Sequence, residues 1–278
     1  MRQRWPLPDP EDSGDKNERG QIVVVGGAAS TPGAVLLAGI AALRVGAGKL
    51  TLVTTEPTAA ALGVAVPEAA VFGLPCTPEG AIDPAAASQA TEFLEGADAV
   101  LIGPGMADPP AAKDFISALI PQLAQDAVLV LDALGASCGV VEAGLGATAG
   151  RTVLTPNETE ARHLLGDTDG SEAERASRIT EQHRVVTALG SAVSAPDGGG
   201  WLIPKGNPGL GTSGSGDVLA GAVAGIAART RDPLTAAAWG LLLHGAAGDR
   251  LAARMAPVGF LARELLDELP GCLQQLAS

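Results

Sequence analysis

The stretch 206–221 reads GNPGLGTSGSGDVLAG, and its glycines at 206, 209, 211, 214 and 216 are followed by a single acid, Asp217. Side chains this small add nothing to a core, but they let backbone N–H groups come close to a ligand. The run feeds directly into VLAGAVAGIAA, which has helical spacing. The N–H groups of Gly214, Ser215, Gly216 and Asp217 therefore stand at the positive end of a helix dipole, a place suited to an anion. An ordinary turn capped by Asp217 would need one Ser or Asp and none of the glycines. The run is not a Walker A loop, because Gly216 is followed by Asp217 where that motif carries Lys and then Ser or Thr. An aspartate beside a bound phosphoryl group can accept a proton from an attacking hydroxyl.

Other stretches narrow the chemistry. VVVGGAAS lacks the full GxGxxG pattern, which weighs against a dinucleotide-fold dehydrogenase, and no GxSxG nucleophile elbow occurs. In TPNETEA, Asn157 suits a helix cap and Glu160 a first-turn carboxylate. Lys49 and Lys205 could offset phosphate charge, although a solvated surface position is the commoner fate of lysine. His244, in LLLHGAAGD, falls on a helix with mostly apolar neighbours and reads as a satisfied core histidine; Asp249 reads as structural.

Positioning such residues needs a sheet. Short β-branched runs alternate with longer Ala-rich segments of helical period, the signature of βαβ units on a mainly parallel sheet. QIVVVGG reads as a buried strand, TPGAVLLAGIAALRVGAG as a helix with Pro32 in its first turn, and KLTLVTT as the next strand. ADAVLIGPG, AVLVLDA, TVLTPNETEARHLLG, RVVTALGS and SAPDGGGWLIP supply further strands, and the strand ends carry Gly, Asp, Thr or Asn. In open α/β sheets ligands bind at the carboxyl ends of strands, so one crevice fed by several loops is expected. Segment 167–182 reads as an exposed polar helix, and DPLTAAAWGLLLHGAAGDRLAARM and GFLARELLDELP as amphipathic helices. With no repeat and no linker, residues 21–278 are expected to form one domain, preceded over 1–20 by an N-terminal extension or a loosely packed arm.

Composition excludes several classes. A formal net charge of −13 opposes a nucleic-acid partner, which would require concentrated Lys and Arg. Cys76, Cys138 and Cys272 form no CxxC pair and suggest neither a disulfide framework nor a zinc site, as expected of a cytoplasmic protein with reduced thiols. The N-terminus has no secretory h-region, and the apolar stretches 35–43 and 218–228 fall short of the roughly 20 residues that span a bilayer, so no membrane contact is expected.

Taken in order, VVVGGAASTPGAVLLAGIAALRVGAGKLTLVT, LIGPGM, LTPNETEARHLLG, GNPGLGTSGSGDVLAG and AAAWGLLLHGAAGDRLA resemble the stand-alone dehydratases that repair hydrated NAD(P)H, a family of the ribokinase-like superfamily. The similarity covers 21–270. It implies a ribokinase-like α/β fold, with a mostly parallel central sheet flanked by helices on both faces, and a lyase acting on (6S)-NADHX or (6S)-NADPHX. In that reaction the ring hydroxyl is phosphorylated by ADP or ATP, and phosphate then leaves. Hydroxide is a poor leaving group and phosphate a good one.

Residue by residue, the resemblance makes Asp217 the base beside the substrate hydroxyl and Gly214, Ser215 and Gly216 the anion hole, with Gly216 also near the adenine nucleotide. Ala34 and Gly105 match positions lining the hydrate pocket, and Asn157 lies with them on the substrate side. Thr187, Gly190 and Ser191 fall where relatives contact the nucleotide. Glu160 matches a glutamate that holds Mg2+ through water, consistent with a hard cation that keeps most of its waters. The chain also departs from the family pattern. Asp132 is kept, Leu134 replaces a second acid, and Thr187 replaces a lysine, which leaves the choice between ADP and ATP open. A homo-oligomer is expected by analogy. The alternatives are a ribokinase-like kinase of a vitamin precursor and a catalytically silent nucleotide-binding protein; the GGAASTPGA block speaks against the first.

Overall fold

The computed structural model describes all residues except 2, 9–14, 140–144, 168, 205 and 278, together with the side chains of 138, 139, 147 and 149. Lys205 thus lies outside the described residues. Nine strands form one sheet: β1 (Gln21–Val25), β2 (Lys49–Thr55), β3 (Ala69–Leu74), β4 (Ala99–Ile102), β5 (Val128–Leu131), β6 (Thr152–Leu154), β7 (Val186–Leu189), β8 (Ala192–Ser194) and β9 (Gly200–Leu202). Their order is β3-β2-β1-β4-β5-β6-β7-β8-β9. Pairing is parallel from β3 through β7, and the last two pairs are antiparallel. The helices are α1 (Pro32–Arg44), α2 (Glu56–Ala65), α3 (Ala87–Thr91), α4 (Pro109–Leu119), α5 (Glu158–Leu165), α6 (Glu172–His183), α7 (Ser215–Thr230), α8 (Pro233–Arg254) and α9 (Ala262–Ala277).

Alternate residues of each central strand feed opposite cores, as the two-residue period of a strand requires. Ile22, Val24, Leu101 and Val130 face the layer of α1, α7, α8 and α9. Val23, Val25, Ile102 and Leu131 face that of α3 to α6. Both faces are therefore covered, which is why the parallel strands are continuous apolar runs. Among the described residues no helix is long and apolar enough to cross a membrane.

The first layer is built on close backbone approach. A Cβ at Gly221 would fall well inside contact distance of Ala38 O, and one at Gly225 would lie 2.6 Å from Ala42 O. Helices α1 and α7 thus cross backbone to backbone, and their amino ends open at the same edge of the sheet. The Ala- and Gly-faced helices that suggested an oligomer use those faces inside the chain.

Two expectations need correction. Of the two readings of the N-terminal segment, the loose arm does not hold for its described residues: Trp5 is buried in the α7–α8 core, its carbonyl accepts from Trp239 Nε1 at 2.8 Å, and its ring meets Trp201 edge-on at 5.5 Å. A buried aromatic brings enough apolar area to dock a short segment. In addition, α9 does not stop at Pro270 but runs through it to Ala277.

Candidate active site

Strand β1 pairs with β2 on one side and β4 on the other, so chain connectivity reverses direction there, and such switch points open a crevice at the carboxyl ends of strands. Two loops meet in it. Gly27 N donates to Pro104 O at 2.7 Å, and Thr31 Oγ1 donates to Gly105 O at 2.6 Å. Thr31 is the N-cap of α1 yet makes no side-chain cap bond, because its hydroxyl holds the other loop. Gly105 has φ +65, and a Cβ there would lie 2.7 Å from the Ala34 Cβ. The structure therefore brings Ala34 and Gly105 into one wall of the crevice.

The glycine motif forms the adjoining wall. Asn207 caps a short turn by accepting from Gly209 N at 2.8 Å. Gly214, at φ +87, caps α7, and a Cβ there would lie 2.6 Å from Leu37 Cδ1 of α1. Among the described residues the N–H groups of Gly214, Gly216 and Asp217 have no protein acceptor. Ser215 differs: its N–H turns back to Thr212 O at 3.2 Å, and its Oγ is hydrogen-bonded to His244 Nε2 at 2.8 Å. Three open amides at a helix start, one fewer than the motif suggests, make the anion cradle. Nothing lies within 4 Å of a Cβ built on Gly216, so the space over that residue is open.

Three carboxylates gather beside this cradle. Asp217 sits in the first turn of α7, partly buried, and its pKa is pushed up to about 6, first by burial and then by the charge of Glu160. Asp132 ends β5 and is buried; burial raises its pKa well above the usual range, the charges of Glu160 and Asp217 add to this, and the 2.8 Å hydrogen bond from Thr155 Oγ1 opposes it. Glu160 is raised by burial. The next residue after Asp132, Ala133, is held at φ +48, a strained value for a residue with a Cβ and one often found at functional sites. Leu134, in place of an acid, lines a cavity of about 730 Å³ together with Ala133, Lys113, Glu160 and His163.

Asn157 and Glu160 form a capping box on α5. Asn157 Oδ1 accepts from Thr159 N at 2.8 Å and from Glu160 N at 3.0 Å, and Glu160 Oε2 accepts from Asn157 N at 2.9 Å. Both residues thus hold the loop beneath the acids. Among the described residues no group of three His, Cys, Asp or Glu could ligate a metal outright. The donors present are hard oxygens whose mutual repulsion a divalent cation would relieve. They fit a Mg2+ held mainly by water and phosphate oxygens, with Glu160 as an outer ligand.

The remaining candidates stand apart from the cradle. Thr187 is fully buried on β7, where its hydroxyl accepts from Thr180 Oγ1 at 2.9 Å, so its side chain presents no surface to a ligand. Gly190 makes the turn after β7 at φ +60. Ser191 donates from N and from Oγ to Glu172 Oε2, at 3.0 and 2.9 Å. Lys49 begins β2 and lies at the amino edge of a parallel sheet, the wrong end for the crevice. Thr155 and Glu172 were not singled out by sequence. Thr155 lies two residues ahead of the Asn157 cap, at the end of a strand, and that position was a signal. His244 is buried, as its apolar neighbours indicated, and burial lowers its pKa to about 4, so it is neutral at physiological pH.

The family model described as NAD(P)H-hydrate dehydratase matches residues 22–271. An ADP-dependent (S)-NAD(P)H-hydrate dehydratase of Xanthomonas campestris is 45% identical over 98% of this chain and 93% of its own length. A bifunctional NAD(P)H-hydrate repair enzyme of Moorella thermoacetica is 38% identical over 98% of this chain, which spans only 53% of it. Among solved structures, the ADP/ATP-dependent NAD(P)H-hydrate dehydratase of Bacillus subtilis, co-crystallised with ATP and Mg2+, superposes with a TM-score of 0.81 at 27% identity, covering 97% of this chain and 94% of that one. Ribokinase of Giardia lamblia, at 14% identity and a TM-score of 0.60 over 89% of this chain and 99% of that one, shares the fold. With a match across most of its length and relatives well above 30% identity, the chain belongs to the NAD(P)H-hydrate dehydratase family.

Proposed function

We propose that this protein returns the (6S) epimer of hydrated NADH or NADPH to the reduced cofactor, with ADP or ATP as phosphoryl donor. The observation that carries the reading is Asp217: a carboxylate with a pKa of about 6 placed beside three open amides and next to the crevice walled by Ala34 and Gly105. At neutral pH it is ionised yet more basic than an ordinary aspartate, the property a general base needs. The ring hydroxyl attacks the terminal phosphorus, its proton passes to Asp217, and the P–O anhydride bond breaks to release AMP from ADP or ADP from ATP. The amides of Gly214, Gly216 and Asp217 stabilise the charge on the phosphoryl oxygens. The ring C–O bond then breaks with its electron pair leaving on phosphate, the neighbouring carbon loses a proton, and the double bond is restored.

Magnesium, when bound, neutralises phosphate charge, and Glu160 would hold it through water. Asn157 supports Glu160 from the cap. Gly190, in the turn after β7, is proposed to approach the nucleotide through its backbone, with Thr187 and Ser191 shaping that turn from behind, since the Thr187 hydroxyl and both the N–H and the hydroxyl of Ser191 are already bonded within the protein. The free thiols of Cys76 and Cys272 support a reducing, cytoplasmic setting. Exposed Phe72 on edge strand β3 and Val64 on α2 support a homo-oligomer, to be tested by light scattering. Residues 21–278 would act as one catalytic domain with 1–20 as a docked extension.

The decisive assay incubates the protein with (6S)-NADPHX and ADP, or ATP, and follows the absorbance of the reduced nicotinamide. Recovery that depends on nucleotide supports the reading. A stable phosphorylated product would mark a kinase of the same fold, and no conversion with either nucleotide would remove the proposed reaction.

A further inference from the structure

The segment LLLHGAAGD on α8 lies against the glycine motif at its entrance and again where it enters α7. A Cβ on Gly206 would collide with Leu210 and lie 2.9 Å from the Gly245 Cα, and a Cβ on Gly248 would lie 2.7 Å from Leu210 Cδ2. Asn207 Nδ2 donates to Asp249 Oδ1 at 3.4 Å. At the far end of the motif, the buried His244 Nε2 and the buried Ser215 Oγ are 2.8 Å apart. The entrance of the loop is thus seated on side-chain-free positions of α8 and tied by the exposed Asn207–Asp249 bond, whereas its exit into α7 is held by the buried His244–Ser215 bond. That bond falls on the cradle residue whose amide is turned inward, with open amides on both sides of it.

We propose that His244 is a positioning residue of the phosphate cradle, which through Ser215 fixes the first turn of α7 so that the amides of Gly214, Gly216 and Asp217 stay directed at bound phosphate. A hydrogen bond between two buried groups leaves an unsatisfied partner when either is removed, so the turn repacks when the bond is lost. The imidazole is neutral and adds no charge to the site; its contribution is geometric. The inference rests on the cradle reading but not on the hydrate reaction.

Calorimetric titration of the full chain with ADP and with adenosine tests it. His244→Ala should weaken ADP binding about tenfold, the equivalent of one ordinary hydrogen bond, and change adenosine binding by less than about twofold. His244→Gln, whose amide reaches the place of Nε2, should recover most of the ADP affinity. Ser215→Ala should lose as much as His244→Ala, and the double variant no more than either single one. Equal losses for ADP and adenosine, multiplying losses in the double variant, or unchanged ADP affinity in a folded His244→Ala would each overturn the proposal. Wild-type protein that binds ADP no better than adenosine would overturn the cradle itself. Protein that shows the predicted ADP pattern but converts no hydrate fails only the proposed reaction.

Discussion

Asp217 carries a conflict between stability and work. A carboxylate whose folded pKa is raised keeps its proton in the folded state where the unfolded chain releases it, so its stabilising protonation is lost as pH rises from the ordinary value through the raised one. The rise from 3.8 to about 6 corresponds to no more than about 3 kcal/mol at neutral pH. Asp217→Asn should therefore melt higher at pH 7, by about 1–3 kcal/mol in unfolding free energy, while turnover falls to background and ADP affinity stays within a few fold. For wild type, kcat/KM should fall about tenfold per pH unit below about 6, as Asp217 takes up its proton; a flat profile down to pH 5 would exclude it as the base. Asp132, buried and raised by the same causes, makes a parallel case. Asp132→Asn should raise the melting temperature of metal-free protein at pH 7, and the advantage should vanish as pH falls to the ordinary aspartate range.

At the scale of elements, two glycines of one helix make opposite predictions. Gly221 packs against the backbone of α1, so an added methyl group must push the helices apart. Gly221→Ala gains about 1 kcal/mol of helix propensity but incurs about 1–3 kcal/mol of overpacking, so the net effect should be a lower melting temperature. Gly216 meets nothing within 4 Å. Gly216→Ala should leave stability equal or higher by up to about 1 kcal/mol, yet weaken ADP binding, because the methyl group occupies space the ligand needs. Chemical denaturation and ADP titration of both variants separate the two roles.

How far these elements were legible depended on how local their cause was. β1, α1 and the start of α7 announced themselves through apolar period, Pro32 and clustered glycines, and the capping box at Asn157 was legible because its partners are three residues apart. Edge strand β3, AAVFGL, gave no clear alternation, since its burial is only partial. The burial of Thr187 and the pairing of Ser191 with Glu172 depend on where α6 docks against β7 and β8, which no spacing along the chain encodes. The same is true of His244, whose partner Ser215 lies 29 residues away.

Across the whole molecule, the two cores are bridged by the sheet, and the first residues close one corner of the larger core. Trp5 touches Trp201 of β9 and bonds with Trp239 of α8, and the Arg4 guanidinium stacks 4.8 Å from the centroid of the Trp201 ring. Trp5→Ala should lower unfolding free energy by about 3 kcal/mol, the usual range for losing a buried aromatic, as read by calorimetric melting. An unchanged melting temperature would mean that the segment is dispensable.

That corner has an optical consequence. The chain has no tyrosine and three tryptophans, and all three meet there. Ultraviolet-excited emission therefore samples a single neighbourhood. Its colour and intensity will follow the seating of the first residues, and a red shift will report their release while the rest of the protein is still folded.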